Sequence, residues 1–396
     1  MVAGVGWPLD QSKLDRFRSL MATDDLDAVV VRASDNILYL TNYWSMKGYD
    51  VAVVPAEGEP VLIVLEPQLE YAAATSWTSD LRPFAGYHPA DPRPPWFRSL
   101  DVCLEVLAER DLTGRIGVEL SQATQASDRM VGEPTVFWQG WFDALGGACR
   151  ELVDCSPLLA RARAIKTEQE LERMRLAGEL ATSAMVAVRE RIRPGMTCGE
   201  IGAIYEGHVH AVGTGYKGKV DLARAFTLVW SGPSIRTFTA TSDAQVREHE
   251  PTLLEIWVCA DGYWIDLTKN TCPGQLTPAY DELTDGLLDV YGRAIEHLRP
   301  GASLAELDVL VREGIAGLGY PGQPSHPIAH GVGARAHEAP YAHQAGSGEL
   351  SAGMVLAVEP GVYWEGGGGL RVEDNYLVTG NGCERIGTYP DDFRGL

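Results

Sequence analysis

The sequence predicts two consecutive domains of mixed helix and sheet, an α/β (α+β) architecture. Three observations predict it. The chain has 396 residues, more than one average domain takes. Its first part alternates helix-like and strand-like runs. Its second part repeats itself weakly, block against block. The expected boundary lies near residue 160, giving domains 1–160 and 161–396.

In the first domain, Leu14 to Met21 has helical spacing. Asp27-Ala-Val-Val-Val31 is a short apolar run suited to a buried strand. Val51 to Val54, then Pro55 to Pro60, then Val61 to Leu65 reads as strand, turn, strand. Arg115 to Glu119 is a later strand. Between them, His88 to Pro95 carries four prolines in eight residues, which excludes helix and central strand and leaves a surface loop, placed at a subunit or domain contact.

The second domain opens near Ile165-Lys166. Thr167 with Glu170 forms a capping-box pattern, so a long helix is expected through about Ile192. Glu190-Arg-Ile-Arg-Pro-Gly195 resembles Glu296-His-Leu-Arg-Pro-Gly301, and at the same offset of 106 Glu200 matches Glu306 and Gly213 matches Gly319. Each block reads as helix, Pro-Gly stop, second helix, then strands carrying acidic or histidine residues. An internal duplication with a site between the halves is expected.

Composition excludes several functions. The net charge of −21 argues against a nucleic-acid partner, since phosphate binding needs a cationic surface. Solubility is the plain reading of that charge; a salt-adapted source or a cationic ligand are the alternatives. No apolar run reaches the roughly 18 residues of a membrane span. Met1 to Leu9 has neither a basic region nor an apolar core, so no secretory signal is read there. The seven cysteines are odd in number, and none pairs as C-x-x-C. Reduced thiols in a cytoplasm are expected rather than disulfides or structural zinc. Cys259, though near candidate site residues, reads as a small buried hydrophobe.

Four clusters carry chemistry. Glu255 and Asp266 stand in two apolar runs joined by Ala260-Asp-Gly262, a hairpin signal, and alternation places both carboxylates on one face. Buried like charges repel unless a proton or cation lies between them. His326, His330 and His337 cluster around Gly331-Val-Gly333, supplying neutral nitrogen ligands or acid–base groups beside backbone a ligand can approach closely. Glu359 ends an apolar strand before Pro360-Gly361. Glu373 sits in a strand-like run after the flexible stretch Gly366 to Gly369.

In this order the clusters resemble the superfamily of methionine aminopeptidase, Xaa-Pro peptidases and creatinase, over nearly the whole chain. Leu26 to Tyr43 and Ile165-Lys166 resemble the creatinase-type N-terminal domain. The resemblance implies a pseudo-symmetric pita-bread fold for the second domain. It implies metal ligands at Glu255, Asp266, His330, Glu359 and Glu373, the first two eleven residues apart as in the family. Asp266 and Glu373 would bridge two cations, with His330 and Glu359 on one and residue 255 on the other. It implies one or two divalent ions; oxygen donors with one imidazole suit manganese, cobalt, iron or zinc. His326 and His337 match substrate-side histidines that polarise a carbonyl, and Glu359 would assist proton transfer. Arg371 belongs to the matching Arg371-Val-Glu-Asp motif and is taken as substrate-binding. In creatinase-like homodimers the N-terminal domain reaches the partner's pocket, so Trp44 and Lys47 are candidates for substrate selection, with ordinary loop packing as the plainer reading.

Three positions depart from the family. Glu255 replaces aspartate, and its extra methylene moves the carboxylate by about 1.5 Å. Phe238 and Thr239 stand where these enzymes carry histidine; Thr239 is kept as a substrate-binding candidate. Lys269 replaces an arginine and loses its planar fork. The expected function is a metal-dependent hydrolase of a C–N bond, amide or peptide, in a small molecule or short peptide, Xaa-Pro peptidase-like, cytoplasmic and homodimeric, with no nucleic-acid or membrane partner. The alternatives are a creatinase-like or lyase-type enzyme with altered or absent metal, and a non-catalytic binding module.

Overall fold

The structure, a computed structural model, describes residues 6–45, 48–121, 139–321, 323–364 and 366–394. The chain divides into two compact units, residues 1–163 and 164–396.

The first unit is one six-stranded sheet with helices on both faces. Its strands are β1 (Ala28–Val31), β2 (Val51–Pro55), β3 (Val61–Leu65), β4 (Asp80–Phe84), β5 (Arg115–Val118) and β6 (Glu151–Asp154). Their order is β4-β3-β2-β1-β5-β6. The β1–β2–β3 meander is antiparallel; β4, β5 and β6 join in parallel pairs. The helices are α1 (Gln11–Thr23), α2 (Ser34–Thr41), α3 (Leu69–Thr75), α4 (Pro95–Glu109), α5 (Gln139–Ala148) and α6 (Ser156–Ala164).

Strict alternation sorts the strand residues. Val29, Val31, Ala52 and Val54 pack against Phe17, Ile37 and Leu158 of α1, α2 and α6. Val30, Val51, Val53 and Ile63 pack against Leu100, Val106 and Trp141 of α4 and α5. Strands covered on both faces read as unbroken apolar runs, which is why these were legible. The proline-rich loop ends one residue earlier than expected: Pro95 is the first residue of α4, where proline's missing N–H costs nothing.

The second unit holds the repeat. α7 (Glu168–Arg191) and α8 (Cys198–Gly213) pack on β7 (Ala223–Ser231), β8 (Thr252–Ala260) and β9 (Tyr263–Thr271). α9 (Pro278–His297) and α10 (Leu304–Gly317) precede the strands of the second half. These are β10 (Ala329–Gly331), β11 (Glu338–Tyr341), β12 (Val355–Val358), β13 (Gly361–Trp364), β14 (Gly368–Arg371), β15 (Asp374–Val378) and β16 (Cys383–Arg385). The main sheet there is ordered β11-β10-β12-β15-β16, and Leu287, Val290 and Leu307 of α9 and α10 pack with Ile328, Leu356 and Val358.

The duplication is visible atom by atom. At the start of α7, Thr167 N donates to Glu170 Oε2 at 2.9 Å, the backbone half of the expected capping box. After α7, Gly195 takes φ 87° and donates its N–H to Val246 O; after α9, Gly301 takes φ 80° and donates to Leu350 O. Thr197 then caps α8 by accepting from Glu200 N, and Ser303 caps α10 by accepting from Glu306 N. Thr197 pairs with Gln245 and Ser303 with Glu349 in matching isolated bridges.

Candidate metal centre

The site starts from a hairpin. Asp261 (φ 48°) and Gly262 (φ 80°) both take left-handed backbone, which a tight two-residue turn requires and which their side chains tolerate. The turn sets a register in which Glu255 faces Thr268 and Trp257 faces Asp266. All four side chains therefore share one face. Every residue of β9 is buried, so its polar side chains need partners. Trp257 Nε1 donates to Asp266 Oδ2 at 2.7 Å. Asn375 Nδ2 donates to Asp266 O at 2.6 Å while its Oδ1 accepts from Asp266 N at 3.2 Å. One amide side chain thus ties β9 to β15 and brings Asp266 toward Glu373.

β10 supplies the imidazole. It pairs His330 with Ala357 of β12, which leaves Glu359 one residue beyond that strand. A Cβ on Gly331 would run into the backbone of Ala339, so only glycine lets β11 approach here. His330 Nδ1 donates to Gly331 O at 2.9 Å. Its Nε2 lies 3.6 Å from Asp266 Oδ2 and 3.5 Å from Glu359 Oε1. Glu373 Oε2 accepts from Thr268 Oγ1 at 2.7 Å. Donor atoms of His330, Glu359 and Glu373 lie within 4.8 Å of one another, as do those of Asp266, His330 and His337.

The other histidines flank this cluster. His337 stacks on His330 with centroids 4.4 Å apart, and its Nε2 is 3.3 Å from Asp266 Oδ2. His326 Nδ1 lies 3.2 Å from Glu359 Oε2, and its Nε2 is 3.2 Å from Tyr363 Oη.

Burial dominates the electrostatics. It raises Asp266 well above the usual carboxylate range, with Glu373, Glu359 and Glu255 adding to the rise. Burial and Glu359 likewise raise Glu373. Burial opposes ionisation of Glu359 too, yet His326, His330 and Arg371 hold its carboxyl below the usual range. Burial and the neighbouring His330 push His337 down to about 3, so its imidazole is neutral near pH 7.

The structure places Asp266, His330, Glu359, Glu373, His326 and His337 together. Glu255 falls outside both donor groups; its Oε2 lies 2.9 Å from Arg371 Nη2, an ion pair not aligned as a hydrogen bond. The Arg371 guanidinium is buried and turned toward site carboxylates, its Nε donating to Thr268 Oγ1 at 2.6 Å. Thr239 Oγ1 accepts from Trp230 Nε1 at 3.0 Å. Next to it, exposed Phe238 takes φ 57° and sets its ring edge-on to His326 at 6.5 Å. Trp44 is buried in the first unit, and Lys47 lies outside the described residues.

Lys269 needs no fork. Its three N–H groups meet Asp374 Oδ2 at 2.8 Å, Asp391 Oδ1 at 2.7 Å and Glu373 O at 3.0 Å. Sequence reasoning missed Trp257, Thr268, Tyr363 and Asn375. The hairpin register would have found the first two, because each stands opposite a candidate ligand.

The residues fit a divalent cation. His330 Nε2 and Glu373 Oε1 are buried without a hydrogen-bond partner among the described residues. Such lone pairs are costly unless an ion takes them up. The raised carboxylates say the same: crowded anions here take up protons unless another positive charge serves.

A buried imidazole–carboxylate cluster between two repeated halves defines a metal-dependent hydrolase. The family comparisons agree and make it specific. The chain belongs to metallopeptidase family M24, whose model matches residues 172–380, and residues 13–165 match the creatinase/prolidase N-terminal domain. It is 25% identical to a Xaa-Pro dipeptidase of Pyrococcus furiosus, over 95% of this chain and 97% of that one. The fold is that of a prolidase from Pyrococcus horikoshii, at TM-score 0.79 and 24% identity over 97% of this chain and 100% of that one. It is equally like a Xaa-Pro dipeptidase from Bacillus anthracis, at TM-score 0.79 and 22% identity over 96% of this chain and 98% of that one. The N-terminal creatinase-type domain and the C-terminal pita-bread domain are thus both present.

Proposed function

We propose that this M24 enzyme hydrolyses the tertiary amide bond of short Xaa-Pro peptides. One observation carries the reading: four groups from separate segments, Asp266, His330, Glu359 and Glu373, converge in a buried cluster in which His330 Nε2 and Glu373 Oε1 have no hydrogen-bond partner among the described residues. These four would hold the cation. When bound, it lowers the pKa of water and polarises a carbonyl. The chain's own groups do the rest. Glu359, kept ionised by His326 and His330, accepts a proton from the attacking water and passes it to the leaving nitrogen. Neutral His337, together with His326, faces the substrate carbonyl and donates to its developing oxyanion. Asn375 and Thr268 hold Asp266 and Glu373 in place. The full-length likeness to Xaa-Pro dipeptidases supports the substrate class.

We place the enzyme in a reducing, cytoplasmic setting as a homodimer. Seven free cysteines support the first; size-exclusion chromatography tests the second. Among the described residues no helix is long and apolar enough to cross a membrane.

Steady-state kinetics on Xaa-Pro and Xaa-Ala dipeptides, with metal-loaded, metal-stripped and His330→Ala protein, tests the proposal. Xaa-Pro turnover that vanishes on stripping, returns on reloading and falls by roughly a thousandfold or more in the variant is expected, an effect on the scale of losing a main catalytic element. Undiminished turnover by stripped protein would instead favour metal-free C–N chemistry.

A further inference from the structure

Resting on that reading, we propose that the centre binds one divalent ion, not two, and that the Arg371 guanidinium serves as its second, built-in cation.

The first support is His330. Both groups of convergent donor atoms include it. Its Nδ1–H is committed to Gly331 O at 2.9 Å, so Nε2 is the one ring lone pair it can offer. One lone pair serves one cation. The two groups therefore share a single ion position, and a second ion would have to rest on carboxylates alone, Glu255 with Asp266 and Glu373.

The second support is Glu255. It lies outside both groups and 2.9 Å from Arg371 Nη2. A second ion held through Glu255 Oε2 would displace that contact and leave a buried guanidinium without its nearest counter-charge, an expensive arrangement.

The third is the setting of Arg371 itself. Its side chain is 2% exposed. Nε donates to Thr268 Oγ1 at 2.6 Å, and Nη1 donates to Tyr363 Oη at 3.3 Å. Its nitrogens also lie 3.8 Å from Glu359 Oε2 and 3.8 Å from Glu373 Oε2. A permanent planar cation is thus held among three site carboxylates by two hydroxyls. It offsets the anionic crowding that a second ion would otherwise offset.

The experiment is a titration of stripped full-length protein with Mn2+ alone. Bound metal is read by equilibrium dialysis and elemental analysis, and coupling by electron paramagnetic resonance. One equivalent with an uncoupled Mn2+ spectrum, in wild type and in Glu255→Gln alike, supports the proposal. Two equivalents with an exchange-coupled spectrum in wild type, falling to one in Glu255→Gln, overturns it and leaves the hydrolase reading standing. No bound Mn2+ in wild type overturns both. If Glu255→Gln fails to fold, the wild-type stoichiometry and spectrum decide.

Discussion

Asp50, in the first unit, is fully buried and accepts from Ser45 Oγ at 2.6 Å, Leu65 N at 3.0 Å and Tyr43 Oη at 3.2 Å. Burial outweighs these donors and raises its carboxyl from 3.8 to about 6. Between those values the folded chain keeps a proton that the unfolded chain has released. The contribution of Asp50 to stability is therefore greatest on the acid side and falls as pH rises toward about 6. The fall attributable to Asp50 is about 3 kcal/mol, at about 1.4 kcal/mol for each pH unit between the two values. Asp50→Asn should flatten that part of the profile. Urea unfolding of wild type and variant across the window measures it; parallel profiles would remove Asp50 as the cause. The residue scale also explains Lys269, where a sequence reading expected a loss. Substituting lysine for arginine gives up planarity, but three acceptors are arranged around a point charge.

Among the elements, the caps test the duplication energetically. Thr197 and Ser303 occupy corresponding positions, each satisfying the N–H of a glutamate three residues on. Thr197→Ala and Ser303→Ala should each cost about 1 kcal/mol, the ordinary loss of an N-cap hydroxyl. Chemical denaturation of the single and double variants checks this. The two sites lie on different helices, so their costs should add; a strongly non-additive double variant would show that the halves do not act as separate elements. The hairpin of β8 and β9 was legible for a local reason. Asp261-Gly262 and the flanking alternation specify turn and register within twenty residues. The bonds from Asn375 to Asp266 were not legible, because they join residues 109 apart in sequence and need the fold to bring them together.

For the molecule as a whole, the two units should respond differently to metal removal. An ion that binds one folded unit and not the unfolded chain stabilises that unit by about 2.7 kcal/mol at about a hundred times Kd. Chelation should therefore raise hydrogen exchange in the strands that carry Asp266 and His330 and in the link between β14 and β15 that carries Glu373, and leave β1 to β6 protected as before. Exchange mass spectrometry with and without chelator reads this directly. An equal rise in both units would show that the ion is not held where these residues converge.

The sequence by itself determined the elements, the repeat and the identity of the candidate donors, since periodicity, capping and turn chemistry are local properties read over a few residues. Tertiary structure alone decided how those donors are shared. That Glu255 lies against Arg371 rather than among the other donors, that His330 has one lone pair to give, and that Arg371 sits amid carboxylates all depend on distances of a few ångströms between distant segments. Charge interactions are set by separation and burial, and neither is written in the order of residues along a chain.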